Sequence, residues 1–239
     1  MTYSKIEIEE KLAEGRKFVE AFAASNDVET KIQLYVNASA VLDPIADPEC
    51  GEPRAAFYMG LLADKLARRL DQLPFYRHDI GEVIEDAVTY YRLAASMEID
   101  QYKTPLRAQH ALAIFYTDDF VVDQNSIGPY DEAFRLMKIA ADGGLPDAFF
   151  GTAMMYAAGC GVERSDIAAL EWIEKAYEKR RFLSREIRGL VSDQRETMRE
   201  AVDMANVSEE VQTLLGDILR PNHLHNRRKD GPKSADGPR

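Results

Sequence analysis

The stretch Pro146–Lys179, PDAFFGTAMMYAAGCGVERSDIAALEWIEKAYEK, decides how the rest of the chain is read. It divides into two apolar-periodic segments separated by Gly159, Gly161 and a short polar run. Pro146 suits a helix start, because the first turn leaves its missing N–H unpaired anyway. Apolar residues then recur three and four apart, the spacing of one helix face. Gly159 and Gly161 permit the left-handed turn that ends a first helix. Val162 would plug the resulting hairpin, and Asp166 would cap the second helix. Small residues at fixed helical positions let the two helices approach closely, while an aromatic fills the adjacent gap.

The same pattern recurs upstream. Second helices share a small residue, a large one three on, and a small one four beyond that. The instances are Ala87, Tyr90 and Ala94, then Ala133, Leu136 and Ala140, then Ala169, Trp172 and Ala176. First helices align as Ala55-x3-Met59-Gly60, Ala108-x3-Leu112-Ala113-x2-Tyr116 and Ala148-x3-Thr152-Ala153-x2-Tyr156. The periods are unequal, which puts the extra residues into loops, chiefly 69–85 and 118–130.

The rest of the body also reads as helix after helix, with no long alternating run. Expected helices cover Glu9–Ala24 and Val28–Leu42, the second capped by Asp27 and stopped at Asp43-Pro44. Others begin near Pro53, Glu82, Pro105, Asp131, Pro146 and Asp166, and two more are expected at Ser184–Ala205 and Ser208–Leu219.

On these residues the chain resembles a known family. Ala148, Tyr156, Gly159, Gly161, Val162, Asp166, Ala169, Trp172, Lys175 and Ala176 match the pattern of a Sel-1-like repeat, a relative of the tetratricopeptide repeat. The preceding stretch, 106–143, keeps the small and aromatic positions but lacks the G-x-G-V turn at 118–122. Around 54–97 the match is weaker, with Ala63 where the aromatic belongs. The paired cysteines of secreted, disulfide-linked members are absent, since the chain has only Cys50 and Cys160. The resemblance implies an all-α fold: a right-handed α/α superhelix, or solenoid, of antiparallel helical hairpins. It also implies an adaptor or regulator that binds other proteins. The expected division is an atypical helical hairpin over 1–50, repeats over 51–181, capping helices over 182–220 and a disordered basic tail over 221–239.

In such solenoids the first helix of each pair lines the concave face. Offsetting from the buried repeat positions gives Arg54, Phe57, Leu61 and Asp64, then Arg107, His110, Ile114, Thr117 and Asp118. The third repeat contributes Asp147, Phe150, Met154 and Ala157. Phe57, Leu61, Ile114, Phe150 and Met154 form an apolar stripe flanked by charge, a groove able to take an extended or helical peptide. The alternative is that the C-terminal helices, 184–219, cover that stripe as a cap.

Little in the sequence carries catalytic chemistry. His223-x-His225 lacks carboxylate or thiol company, and zinc needs three or four ordered ligands. His110 reads as a polar face residue, because no Ser or Cys nucleophile is fixed beside it in sequence. Cys160 reads as a small turn residue. Gly143-Gly144 reads as a helix end rather than a phosphate loop, since no G-K-[ST] follows. No cofactor, metal or catalytic residue is expected. A helical enzyme with its active site in the groove stands as the rival reading.

Composition bounds the partner. The 239 residues hold 30 Lys and Arg against 41 Asp and Glu, a net charge of −11. Residues 220–239 carry six basic and two acidic side chains, so the remaining body stands at −15. Bulk acidity argues against nucleic acid as a ligand and for a partner with a basic surface. A sharper variant is an immunity-type protein that neutralises a basic toxin. The basic tail is expected to be disordered, either a solubilising end or a weak anion-binding arm. The charged N-terminus, sparse cysteines and lack of a long apolar run point to a cytoplasmic protein, bacterial in kind, without signal peptide or membrane span.

Overall fold

The computed structural model describes residues 3–73, 80–117 and 130–219, with Val207 and 210–219 described by backbone alone. Among the described residues there are helices and no strands. In chain order they are α1 (Lys5–Ala24), α2 (Val28–Ala46), α3 (Pro53–Asp71), α4 (Ile80–Ser96) and α5 (Thr104–Tyr116). Then follow α6 (Tyr130–Asp142), α7 (Pro146–Ala158), α8 (Asp166–Glu178), a 3-10 turn at Arg180–Phe182 and α9 (Arg185–Leu219). Successive helices pair as α1–α2, α3–α4, α5–α6 and α7–α8, and each hairpin packs on the next. First helices also touch one another across the stack, α1 on α3 and α3 on α5. The chain is thus an all-α stack of helical hairpins.

The repeat positions form its core. Ala55, Met59, Ala87, Ala94, Ala108, Tyr116, Ala133, Ala140, Ala148, Ala153, Ala169 and Ala176 are all fully buried. At Gly60 the Tyr91 ring occupies the space of a side chain, since a Cβ there would lie 2.6 Å from Cδ1. The hairpin turn behaves as its glycines require: Gly159 has φ +70° and Gly161 φ +67°.

Several local expectations shift. α1 starts four residues early, because Ser4 and Glu7 form a reciprocal capping box. α2 runs through Pro44 to Ala46. The proline sits in the last turn, and burial of Ile45 and Ala46 holds that turn in place. Ser165, not Asp166, caps α8: its hydroxyl accepts from the Ala168 N–H, while Asp166 is the first helical residue and pairs with Arg164. Val162 is only half-buried and stands apart from the core cluster. In place of two C-terminal helices there is one of 35 residues. Nothing between Ala205 and Ser208 breaks a helix, and a serine in mid-helix costs little. Its first half seats Val191 and Met198 against the stack. Glu174 of α8 fixes it further, accepting from Arg195 at 2.7 Å and Arg199 at 2.9 Å.

Polar ties join α2 to α4. Tyr35 donates to Asp86 at 2.7 Å, and Tyr90 donates to Asp43 at the same distance. Burial first, and then the adjacent carboxylates, push both phenols well above the ordinary tyrosine range. The expected tail at 221–239, His223 and His225, and Asp118 with its loop lie outside the described residues.

Candidate peptide-binding cleft

Three first helices begin on the same side of the stack: α3 at Pro53, α5 at Thr104 and α7 at Pro146. Residues at or soon after these starts line a cleft of about 740 Å³. Phe57 of α3 forms one wall, and Arg107 and His110 of α5 form another. Asp147 opens α7 on the far side, and the segment Lys179–Ser184 closes the end. A second hollow of about 160 Å³ shares Phe57, Tyr102 and Arg107 with the first and adds Arg16, Arg54 and Tyr58.

The approach to α5 is shaped by Asp100. Its carboxylate accepts from the Thr104 N–H at 2.7 Å and from the Thr104 hydroxyl at 2.7 Å. That holds Lys103 in the left-handed region, φ 55°, which a side chain adopts only at some cost. The ammonium of Lys103 then reaches the carbonyls just past the end of α6, Gly143 at 3.1 Å and Gly144 at 3.4 Å. A cation there suits the negative end of α6.

Arg54 is locked. It pairs with Glu52 at 2.7 Å and Glu9 at 2.8 Å and lies over the Tyr102 ring at 5.5 Å. Those carboxylates, Glu52 foremost, raise it further above the ordinary guanidinium range. Arg107 and Lys179 differ: both are exposed, and neither makes an ion pair among the described residues. Among the described residues Asp147 is the only carboxylate on the wall of the larger cleft, and its Oδ1 accepts from the Ser184 N–H at 2.8 Å. Burial pushes His110 below the usual histidine range, against a weaker upward pull from Asp147.

The expected concave residues separate here. Phe57, Arg107 and His110 come together in the cleft, and Arg54 lines the adjoining hollow. Leu61, Phe150 and Met154 are half-buried outside its walls, and Ile114 stands 39% exposed beyond it. Asp64 is buried at 8% and turned to Arg68 and Tyr91 rather than to a groove. α9 packs chiefly on α8 and only lightly on α7, while the 3-10 turn before it closes the cleft end. Sequence reasoning missed Tyr102, Lys103, Lys179 and Phe182. All four lie at or beyond helix ends, where repeat alignment assigns no face. The available signal was an aromatic beside a cation at each place, Tyr102-Lys103 and Arg181-Phe182.

The cleft's charge is opposite to the chain's. Its walls and those of the adjoining hollow carry Arg16, Arg54, Lys103, Arg107 and Lys179 against Asp147. The net charge of −11, on which the expectation of a basic partner rests, is thus not reproduced in the lining of this site. Acidic residues crowd other faces, such as the hollow bounded by Asp43, Asp47 and Glu49.

His110, Asp147 and Ser184 line the same cleft, yet His110 makes no hydrogen bond to either. A base bonded to its nucleophile is thus not assembled. Among the described residues no three His, Cys, Asp or Glu side chains gather closely enough to hold a metal ion, and no helix is long and apolar enough to cross a membrane.

No protein-family model matches the chain, and no curated protein does. Among solved structures, a Sel1 repeat protein from Oxalobacter formigenes is similar, at 22% identity and a TM-score of 0.39. The match covers 64% of this chain and 95% of that one.

Proposed function

We propose that this chain is a non-enzymatic protein-interaction module, an adaptor or regulator of the cytoplasm that takes a peptide segment of its partner in the cleft described above. The observation that carries this reading is the cleft itself. Residues near the starts of three successive first helices face one hollow, which is walled by aromatic side chains and by Arg107 and Lys179, neither of which makes an ion pair among the described residues. Tyr102 is 51% exposed and Phe182 67% exposed, so aromatic surface remains open to a ligand. Large aromatics and arginines are the side chains that most often anchor interfaces. Arg54, Phe57, Arg107 and His110 form the centre of the proposed surface, with Ile114 farther out. The rival enzymatic reading has its ionisable groups in His110 and Asp147, of which Asp147 is already engaged by the Ser184 backbone N–H.

The test is affinity purification of the intact, tagged protein from its native cell, with Arg107→Glu and Lys65→Glu run in parallel. Lys65 is an exposed residue of α3, near Lys31 and apart from the cleft. Partners held in the cleft are lost with Arg107→Glu and kept with Lys65→Glu. Recovery of the same proteins by both variants would end the proposal.

A further inference from the structure

We infer that the cleft recognises an acidic peptide segment: a run of Asp or Glu side chains that also presents an aromatic or aliphatic residue. This rests on the reading of the cleft as a peptide site and adds the chemistry of the ligand.

Charge complementarity is the first support. In a chain of net charge −11, a hollow lined by cations is an exception to the composition. The charges differ in how free they are. Arg54 is balanced by Glu9 and Glu52, and Lys103 is spent on the carbonyls that end α6. Arg107 and Lys179 face the same hollow from α5 and from the end of α8, and both lack an ionic partner among the described residues. The one wall carboxylate among the described residues, Asp147, already accepts the Ser184 N–H. A ligand carboxylate thus meets unpaired donors, while a ligand cation meets like charges at short range.

Helix polarity points the same way. The first turns of α5 and α7 border the cleft, so the positive ends of two helices add to the side-chain cations. Alone that would mean little, but here it coincides with unpaired guanidinium and ammonium groups. Burial keeps His110 neutral at physiological pH, so it can donate or accept without adding charge.

The apolar requirement follows from the remaining walls. Phe57, Tyr102, Phe182 and Leu183 alternate with the cations. A purely acidic segment would leave these surfaces wet, whereas one aromatic or aliphatic side chain among the acids would cover them. The cleft volume of about 740 Å³ accommodates a few residues, not a folded domain.

A dodecapeptide library displayed on phage, selected against the intact protein, tests this directly. The expected selected sequences carry net negative charge and at least one large apolar residue. As synthetic peptides they should lose about tenfold in affinity with Arg107→Glu or Lys179→Glu, change by less than about twofold with Lys65→Glu, and weaken as salt is raised. Selection of neutral or basic peptides that still depend on Arg107 would overturn the acidic inference and leave the peptide-binding proposal standing. Failure to select any peptide, or selected peptides indifferent to both cleft variants, would overturn both. Binding of a dT12 oligonucleotide as tight as that of the selected peptides would assign the cleft to nucleic acid and also refute the inference.

Discussion

The hairpins α3–α4 and α7–α8 have the same repeat positions but are held together differently. In α3–α4 the helices are tied by a buried polar cluster. Tyr91 is fully buried and donates to Asp64 at 3.2 Å, and Arg68 pairs with the same carboxylate at 2.5 Å. In α7–α8 the equivalent layer is apolar or small: Ala148, Ala153, Ala169 and Ile173 are fully buried, with Trp172 closing one side. There the close fit is made by the backbone turn. Gly161 lies so near α6 that a Cβ on it would fall 1.8 Å from the Tyr130 carbonyl oxygen. One hairpin therefore depends on side-chain hydrogen bonds and the other on backbone shape, and substitutions should separate the two.

Gly161→Ala should have the largest effect. The new methyl meets backbone atoms, which cannot swing aside as a side-chain tip can, and φ +67° adds the strain of a left-handed alanine. Backbone strain of about 1–3 kcal/mol and overpacking of similar size together predict a loss of roughly 3 kcal/mol or more. Gly159→Ala shares the positive φ, but its nearest neighbour is the Arg164 Cβ at 3.3 Å, so about 1–2 kcal/mol is expected. Urea unfolding of the three proteins measures the difference. Equal losses would mean that the approach to Tyr130 is not what makes Gly161 special.

Tyr91→Phe probes the other hairpin. It keeps the ring that fills the space beside Gly60 and removes only the hydroxyl. Asp64 retains Arg68 but loses a donor in a site with 8% exposure, which should cost about 1–2 kcal/mol. Both proteins should keep their helical circular dichroism, with the midpoint of thermal unfolding lowered. No change in midpoint would show that the phenol contributes packing alone.

This contrast also explains what could be read in the sequence. The α7–α8 turn is written in residue types that have few other uses, Gly159-x-Gly161, and the left-handed geometry follows from them. The α3–α4 tie is not visible in that way. Asp64 sits at a position that repeat alignment assigns to the exposed concave face; Arg68 stands one turn on in the same helix, but only the folded chain brings Tyr91 to it. Most of the small and large repeat positions are buried, because helical spacing dictates which side chains face inward, but much of the core, Leu42, Leu66, Tyr91 and Phe115 among it, lies at positions the repeat does not mark. The cleft was legible in part. Phe57, Arg107 and His110 lie on helices and follow from the repeat, whereas Tyr102, Lys179 and Phe182 lie in connections whose paths no periodicity sets. Net charge did not foretell the cations of the cleft, because it sums over every face of the molecule.

Between the two hairpins, α5 carries His110, whose burial favours the neutral ring and lowers its pKa in the folded protein. Above about pH 6.5, the ordinary histidine value, both folded and unfolded chains hold it neutral and it adds no pH dependence. As pH falls below that, the unfolded chain takes up a proton that the folded one resists, so stability falls until the folded value is reached. Asp147 on α7 opposes the shift, and Arg107 and Lys179 share the wall. Urea unfolding at pH 7.5 and pH 5.5 should therefore show a decline in the native protein that is smaller in His110→Gln. Identical declines would place the pH sensitivity elsewhere.

The smallest effect is expected from Thr152→Val, which asks whether α7–α8 contains any polar tie of its own. Thr152 is fully buried, and its hydroxyl donates to the Ala148 carbonyl at 2.8 Å, one turn back in the same helix. That bond crosses no interface, so it cannot join α7 to α8. The carbonyl can also serve as the acceptor of the helical ladder, and valine has nearly the shape of threonine. Removing the hydroxyl therefore strands no partner, and an apolar replacement of the same shape can be neutral or stabilising. A change within about 0.5 kcal/mol is expected, against the clear loss for Tyr91→Phe in the other hairpin. If Thr152→Val instead cost as much as Tyr91→Phe, the two hairpins would both rely on buried hydrogen bonds, and the difference drawn between them would fail.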